Sequence, residues 1–289
     1  MPPRTLAIIA LLLVMAIWGS AFTVTKATID EIPPVMIALL RFVLGSAILL
    51  PVLIIRRKQA MPLLKRSWLT MAAMGICGFT FFQAGANVAL AYSTATEAAI
   101  IQSVIPVMTA ILAALVLREQ PSIRRILGIL LSLAGVVVVI LVAAPSEHAS
   151  DPLFGGAIML GVVALWAVYT VLAKRLSQAD PLLVTAYSTI FGALFLVPLA
   201  LLESGGAGMP TISTQGWLSI LYLGLLSSTT ANLLYNWSLT HLEASQVATF
   251  INLVPIVGVA IAVLFLGEPL LGWQLVGGAV TLLGVWLAT

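Results

Sequence analysis

The chain has 289 residues, 61% of them hydrophobic and 8% charged, with a net charge of +3 and a mean hydropathy of +1.16. Soluble domains hold about a quarter charged residues, so this composition excludes a water-soluble fold. The small basic excess does not by itself imply a nucleic-acid partner, and its meaning depends on where each cation lies.

Apolar stretches of about 20 residues cross a hydrocarbon core about 30 Å thick, and ten are read along the chain. Membrane β-barrels need short segments that alternate in polarity. Runs such as LLSLAGVVVVILVAA at 130–144 do not alternate, so the class is all-α and polytopic.

Span one, 5–27, carries Trp18 and Phe22 on one face and ends at Lys26. Its start has the shape of a signal peptide, with Arg4, an apolar run and then Gly19, Ser20 and Ala21; its counterpart deep in the chain argues that it is retained. Span two, 34–55, follows Pro33-Pro34 and holds Arg41 about two turns inside. Span three, 67–91, contains Phe82, Gln83 and Asn87, the two amides four residues apart and so on one helix face. It also contains the single Cys77, read as a reduced, inert thiol. Span four, 97–117, carries Gln102, Ser103 and Pro106, and span five, 124–143, has Gly128 and Gly135 on one face.

The second half repeats this inventory. Span six, 153–174, carries Trp166, Tyr169 and Thr170; span seven, 181–202, opens at Pro181; span eight, 215–238, holds Asn232, Tyr235 and Asn236. Span nine, 244–266, carries Asn252 and Pro255, and span ten, 270–288, has Gly277 and Gly284. Trp18, Lys26 and Pro33 match Trp166, Lys174 and Pro181 at an offset of 148. From Trp68 and Trp217 onward the offset is 149, pairing Asn87 with Asn236, Pro106 with Pro255, Gly128 with Gly277 and Gly135 with Gly284. The chain therefore reads as two repeats, 1–148 and 149–289, each of five spans. Because five is odd, the second copy enters the bilayer from the opposite side. Such inverted repeats place a substrate site near the midplane, where the halves meet.

With a cytoplasmic N-terminus, every Lys and Arg except Lys26 and Arg41 falls at a cytoplasmic end, as the positive-inside rule requires. Both termini are then cytoplasmic, the basic excess reports topology, and no nucleic-acid partner is implied. Asp and Glu residues sit at or near helix ends, so no proton relay is visible, and transport down a gradient is the expectation.

Unsatisfied polar groups cost several kcal/mol in lipid, so the amides must face protein or water. The expected site is a central cavity. Trp18, Phe22, Phe82, Trp166, Tyr169 and Tyr235 would enclose an apolar side chain. Gln83, Asn87, Gln102, Ser103, Asn232, Asn236 and Asn252 would supply neutral hydrogen bonds. Interhelical bonding by the same amides is the competing reading. Pro106 and Pro255 each remove a backbone bond and are expected to kink spans four and nine as hinges. Arg41 is read as snorkelling to the bilayer surface or pairing with Asp30 or Glu31, with a substrate carboxylate as the other reading; its repeat mate is Thr189. The glycine faces of spans five and ten are expected to pack together. No cofactor or metal is implied.

The sequences WGSAFTVTK (18–26), LLRF (39–42), IPVMTAILAALVLREQP (105–121), VPIVGVAIAVLFLGEP (254–269), LGILLSLAGVVVV (127–139) and LVGGAVTLLGVWL (275–287) resemble, in order and spacing, the EamA repeat of the drug/metabolite transporter superfamily. Within it the chain is most similar to YddG-type amino-acid exporters. That resemblance implies a bacterial inner-membrane carrier of small molecules such as aromatic amino acids; the sequence leaves the oligomeric state open, with a monomer favoured. An exporter of other metabolites or cationic drugs, with or without proton coupling, is the alternative, and a channel or scramblase the rival class. No HExxH, GxSxG or Cys–His grouping supports an enzyme.

Overall fold

In a computed structural model the described residues are 3–117, 123–142, 149–205, 210–242, 247 and 250–288. Arg118, Glu119, Glu147 and Glu243, which the sequence reading counts among the cations and carboxylates at helix ends, lie outside them. The described chain is helical. The first half holds α1 (Pro3–Lys26), α2 (Pro34–Ile55), α3 (Arg57–Tyr92), α4 (Ala95–Gln102), α5 (Ile105–Leu117) and α6 (Ile123–Val142). The second holds α7 (Pro152–Arg175), α8 (Pro181–Ser204), α9 (Thr214–His241), α10 (Leu253–Leu266) and α11 (Gly272–Ala288).

Proline and carboxylate residues set the helix starts. Pro34, Pro152 and Pro181 occupy first turns, where a missing N–H costs nothing. Asp151 and Asp180 cap α7 and α8 by accepting from the backbone N–H of Phe154 and Leu182. Glu203 accepts from Val35 and Met36 at the start of α2, both at 2.9 Å, and Glu268 from Ala95 and Thr96 at the start of α4. Carboxylates at these positions also meet the positive end of the helix dipole.

Seven described segments are individually long and apolar enough to cross a membrane. With α6, α10 and α11 they make the ten of the sequence reading, and the chain is a multi-pass membrane protein. Its outer surface is apolar, with Ile55, Leu141, Leu202, Leu264 and Phe265 among the exposed side chains.

The packing exchanges under the repeat. α1 packs on α10 and α9, and its mate α7 packs on α5 and α3; α2 faces its own mate α8, and α6 its mate α11. A Cβ on Gly284 would lie 2.2 Å from the Ser132 backbone N, and one on Gly135 2.5 Å from that of Thr281. The expected glycine contact between spans five and ten is therefore present, with the backbones close enough to exclude any side chain.

Two local features also recur. Gly75–Phe81 and Tyr222–Thr230 are π-helical. In each the threonine five residues on bonds back, Thr80 Oγ1 to the Gly75 carbonyl at 3.3 Å and Thr229 Oγ1 to the Gly224 carbonyl at 2.8 Å. The prolines do more than kink their helices. Turns at Ser103–Val104 and Ile251–Asn252 precede helices that start at Ile105 and Leu253, and the first of them ends α4. The ring of each proline sits in the first turn of the restarted helix, where it fits, so a full break costs less than a bent ladder.

Lysines close two helix ends in the same symmetric way. Lys26 Nζ donates to the carbonyls of Leu90 and Ser93 at 2.7 and 2.8 Å; Lys174 Nζ donates to those of Leu239 and Leu242 at 3.1 and 3.0 Å. These carbonyls end α3 and α9, where a cation is favoured. The two lysines mark opposite ends of the bundle, called below the Lys26 end and the Lys174 end.

A candidate substrate cavity

Where α1, α2, α3 and α4 converge, a cavity of about 50 Å³ opens in the half of the molecule nearer the Lys26 end. Trp18, Phe22, Phe82, Gln83, Asn87 and Gln102 line it, together with Ala21, Ala86, Arg41 and Ser227. About 10–15 Å³ suffices for one water, so the space holds a few waters and is too small for an aromatic side chain in this conformation.

Toward the Lys174 end a separate space of about 10 Å³ lies beside Ala173, Val184 and Asn236; of the residues around it, Ala173 and Asn236 are mates of the cavity residues Thr25 and Asn87. At the positions equivalent to the rest of the cavity lining the filling differs. Ala21 corresponds to Tyr169 and Ala86 to Tyr235, so the second half puts rings where the first leaves space. Both tyrosines are fully buried. Trp166 stacks on Tyr169 with centroids 4.7 Å apart and meets Phe82 at 4.9 Å; Trp18 meets both Trp166 and Tyr235 at 5.2 Å. Contacts of this kind contribute about 0.5–1.5 kcal/mol each beyond area burial, so the five rings form a cohesive plug on the Lys174 side of the cavity.

The amides divide the same way. Asn236 is held on both sides: its Nδ2 donates to Tyr169 Oη at 2.8 Å and to Thr185 Oγ1 at 2.9 Å, and its Oδ1 accepts from Tyr169 Oη at 3.1 Å. Its mate Asn87 donates to the Pro34 carbonyl at 3.0 Å and borders the cavity. Asn232 Nδ2 bonds the Ser228 carbonyl one turn back. Ser103 Oγ bonds the Ile100 carbonyl at 2.6 Å and closes the end of α4. Gln102 Oε1 and Asn252 Oδ1 are buried without a partner among the described residues. Of the thirteen side chains expected to meet substrate, six therefore line the cavity. Trp166, Tyr169, Asn232, Tyr235, Asn236, Ser103 and Asn252 pack beside it or at the helix breaks.

Arg41 departs most from expectation. It neither reaches the bilayer surface nor pairs with Asp30 or Glu31; it is 3% exposed and lines the cavity. Its Nε donates to Ser228 Oγ at 2.6 Å, Nη2 to Ser227 Oγ at 2.8 Å and Nη1 to Gln83 Oε1 at 3.2 Å. Glu31 instead bonds Ser213 at the start of α9. The reason is the π-helical turn of α9: its extra residue per turn brings Ser227 and Ser228 side by side against α2. Ser227 also accepts, through its carbonyl, the Trp18 indole N–H at 3.2 Å. A signal for this cluster does exist in the sequence, since Arg41, Ser227 and Ser228 correspond to Thr189, Gly78 and Phe79 and so break the repeat together.

The model of the EamA-like transporter family matches twice, over residues 5–141 and 153–289. An uncharacterized transporter of Archaeoglobus fulgidus is 33% identical over 280 residues, 96% of each chain. A probable amino-acid metabolite efflux pump of Salmonella typhimurium is 29% identical over 96% of this chain and 92% of its own. A probable terminal-alkyne amino-acid exporter of Streptantibioticus cattleyicolor is 27% identical over 97% and 92%. One solved crystal structure superposes with a TM-score of 0.70 at 18% identity, covering 99% of this chain and 97% of the other, and so shares the fold.

Proposed function

The chain belongs to the EamA-like transporter family, and from that premise we propose that it is an alternating-access carrier that exports amino acids, aromatic and other apolar ones foremost, across a bacterial inner membrane. Both termini are cytoplasmic in this reading, which puts the Lys26 end outside and the Lys174 end inside, and the carrier works as a monomer. The observation that supports it best is that Ala21 and Ala86, which line the cavity of about 50 Å³, have as repeat mates Tyr169 and Tyr235, whose rings are fully buried. Inverted repeats switch access by exchanging the conformations of their halves. In that cycle the ring plug parts on the inner side while the outer cavity closes.

The helix breaks before Pro106 and Pro255 are the hinges of this cycle. The first joins α4 to α5 through a turn and the second is a turn that opens α10; at such turns a few backbone dihedrals absorb a change of angle. The ring faces of Trp18, Phe22 and Phe82 receive an apolar side chain, while Gln83, Asn87 and Gln102 meet the polar end of the substrate. Six of the seven carboxylates among the described residues, all but Asp30, accept backbone N–H bonds, which favours movement down a gradient over proton coupling. The names of two relatives as amino-acid exporters agree with this choice of substrate.

Counterflow with the purified protein in liposomes tests the reading. Vesicles preloaded with L-phenylalanine should accumulate labelled phenylalanine from outside, equally with and without an imposed proton gradient. If none of the twenty amino acids drives or competes with counterflow, the substrate is a different one; if the gradient drives net accumulation, the uncoupled mechanism is wrong.

A further inference from the structure

Arg41 is a cation at membrane depth with no carboxylate partner among the described residues. Removing such a group from water costs several kcal/mol even after relaxation, and ionisable groups within spans belong by default to transport pathways. The side chain has five N–H donors, and the serine and glutamine oxygens take three of them. One N–H on each terminal nitrogen is left. No carboxylate among the described residues answers them: Glu31, Glu97, Asp151, Asp180, Glu203 and Glu268 each accept from a backbone N–H elsewhere. Asp30, the remaining one, makes no ion pair with Arg41.

The cavity lies directly against this guanidinium. The groups that hold it are all neutral, so they fix its orientation without cancelling its charge. The face of Phe42 lies 5.7 Å from the guanidinium carbon, and contact with an aromatic face likewise supports a cation without neutralising it. The cluster joins both halves and is absent from the symmetry-related place, where Thr189, Gly78 and Phe79 stand at the matching positions. A purely architectural device would be expected in both halves, as the two lysines are.

We propose that Arg41 is the carboxylate-binding residue of the cavity, so that the protein takes small organic acids, zwitterionic amino acids among them, and rejects the matching amides. A guanidinium with one free N–H on each terminal nitrogen has the donors for a bidentate carboxylate. Gln102 Oε1, buried on the same cavity and unpartnered, accepts an ammonium or hydroxyl from the substrate. It is neutral, so the substrate's amino group is tolerated and its carboxylate is required. This rests on the carrier reading but is tested without transport.

The test is the thermal stability of the full-length protein in a non-ionic detergent, since a ligand that binds the folded state raises the melting temperature. The probes are matched pairs at equal ionic strength: phenylacetate with phenylacetamide, L-phenylalanine with L-phenylalaninamide, and isovalerate with isovaleramide. Carboxylates should stabilise the wild type and amides should not. Arg41→Gln should weaken carboxylate binding by about tenfold or more. Gln83→Glu keeps the cluster intact and supplies an internal carboxylate 3.2 Å from the guanidinium, so it should fold normally and lose the same response. The proposal is overturned if amides stabilise as well as carboxylates, if no carboxylate in the panel stabilises the wild type, or if Gln83→Glu responds like the wild type. Stabilisation by phenylacetate without amino-acid counterflow would keep this site and discard the amino-acid assignment.

Discussion

The Lys26 and Lys174 ends are built from the same unit and differ in what fills it. Their lysines close helix ends with matching bonds, their π-helical turns coincide, and their helices α5 and α10 start just before equivalent prolines. At the centre, Ala21 and Ala86 face a cavity where Tyr169 and Tyr235 complete a ring plug. The lesson is that backbone symmetry and access are encoded separately. Proline, glycine and lysine positions fix the first, and ring-for-methyl exchanges at two positions bias the second. In the proposed alternating-access cycle, that bias would set which end is closed at rest and would have to be overcome once per cycle.

Exchanging the fillings should break this comparison most severely. Ala86→Tyr puts a ring into about 50 Å³ and should abolish counterflow in protein that still inserts and purifies. Normal counterflow in this variant would mean that the cavity is not on the path. Tyr235→Ala makes the opposite change. Emptying a fully buried ring position costs about 3–5 kcal/mol in packed interiors, so the melting temperature should fall markedly, and a cysteine introduced by Asn236→Cys in the same variant should react with thiol reagents faster. A smaller change sharpens the symmetric part: Lys26→Met and Lys174→Met each remove two charge-assisted bonds, about 1.5–3 kcal/mol per bond at most, and should lower the melting temperature by similar amounts. A large inequality between them would show that one lysine does more than close its helix.

Residues that carry backbone geometry were legible in the sequence. The shared offset of Trp18, Lys26 and Pro33 with their mates disclosed the repeat, and Gly135 with Gly284 disclosed the α6–α11 contact. The helix breaks were half legible, because a proline marks where a ladder fails without saying whether the helix bends or restarts. The cavity's position was not. Rings at Trp166, Tyr169 and Tyr235 can line a space or fill it, and that depends on whether the opposite positions are alanine. Arg41 was misjudged because an arginine near a helix end usually reaches the surface. The π-helical turn that presents Ser227 and Ser228 to it leaves no periodic trace in hydropathy, although the joint departure of these three residues from the repeat does.

The claim that the two ends open in turn is tested most directly by paired thiol labelling. In a Cys77→Ser background, Asn87→Cys and Asn236→Cys place one thiol at each equivalent position, and a small hydrophilic maleimide reports how fast each is reached. Position 87 should react faster in the resting protein, and substrate conditions that speed labelling at 236 should slow it at 87. Rates that rise at both positions together would describe a continuous pore, and the alternating account would be wrong.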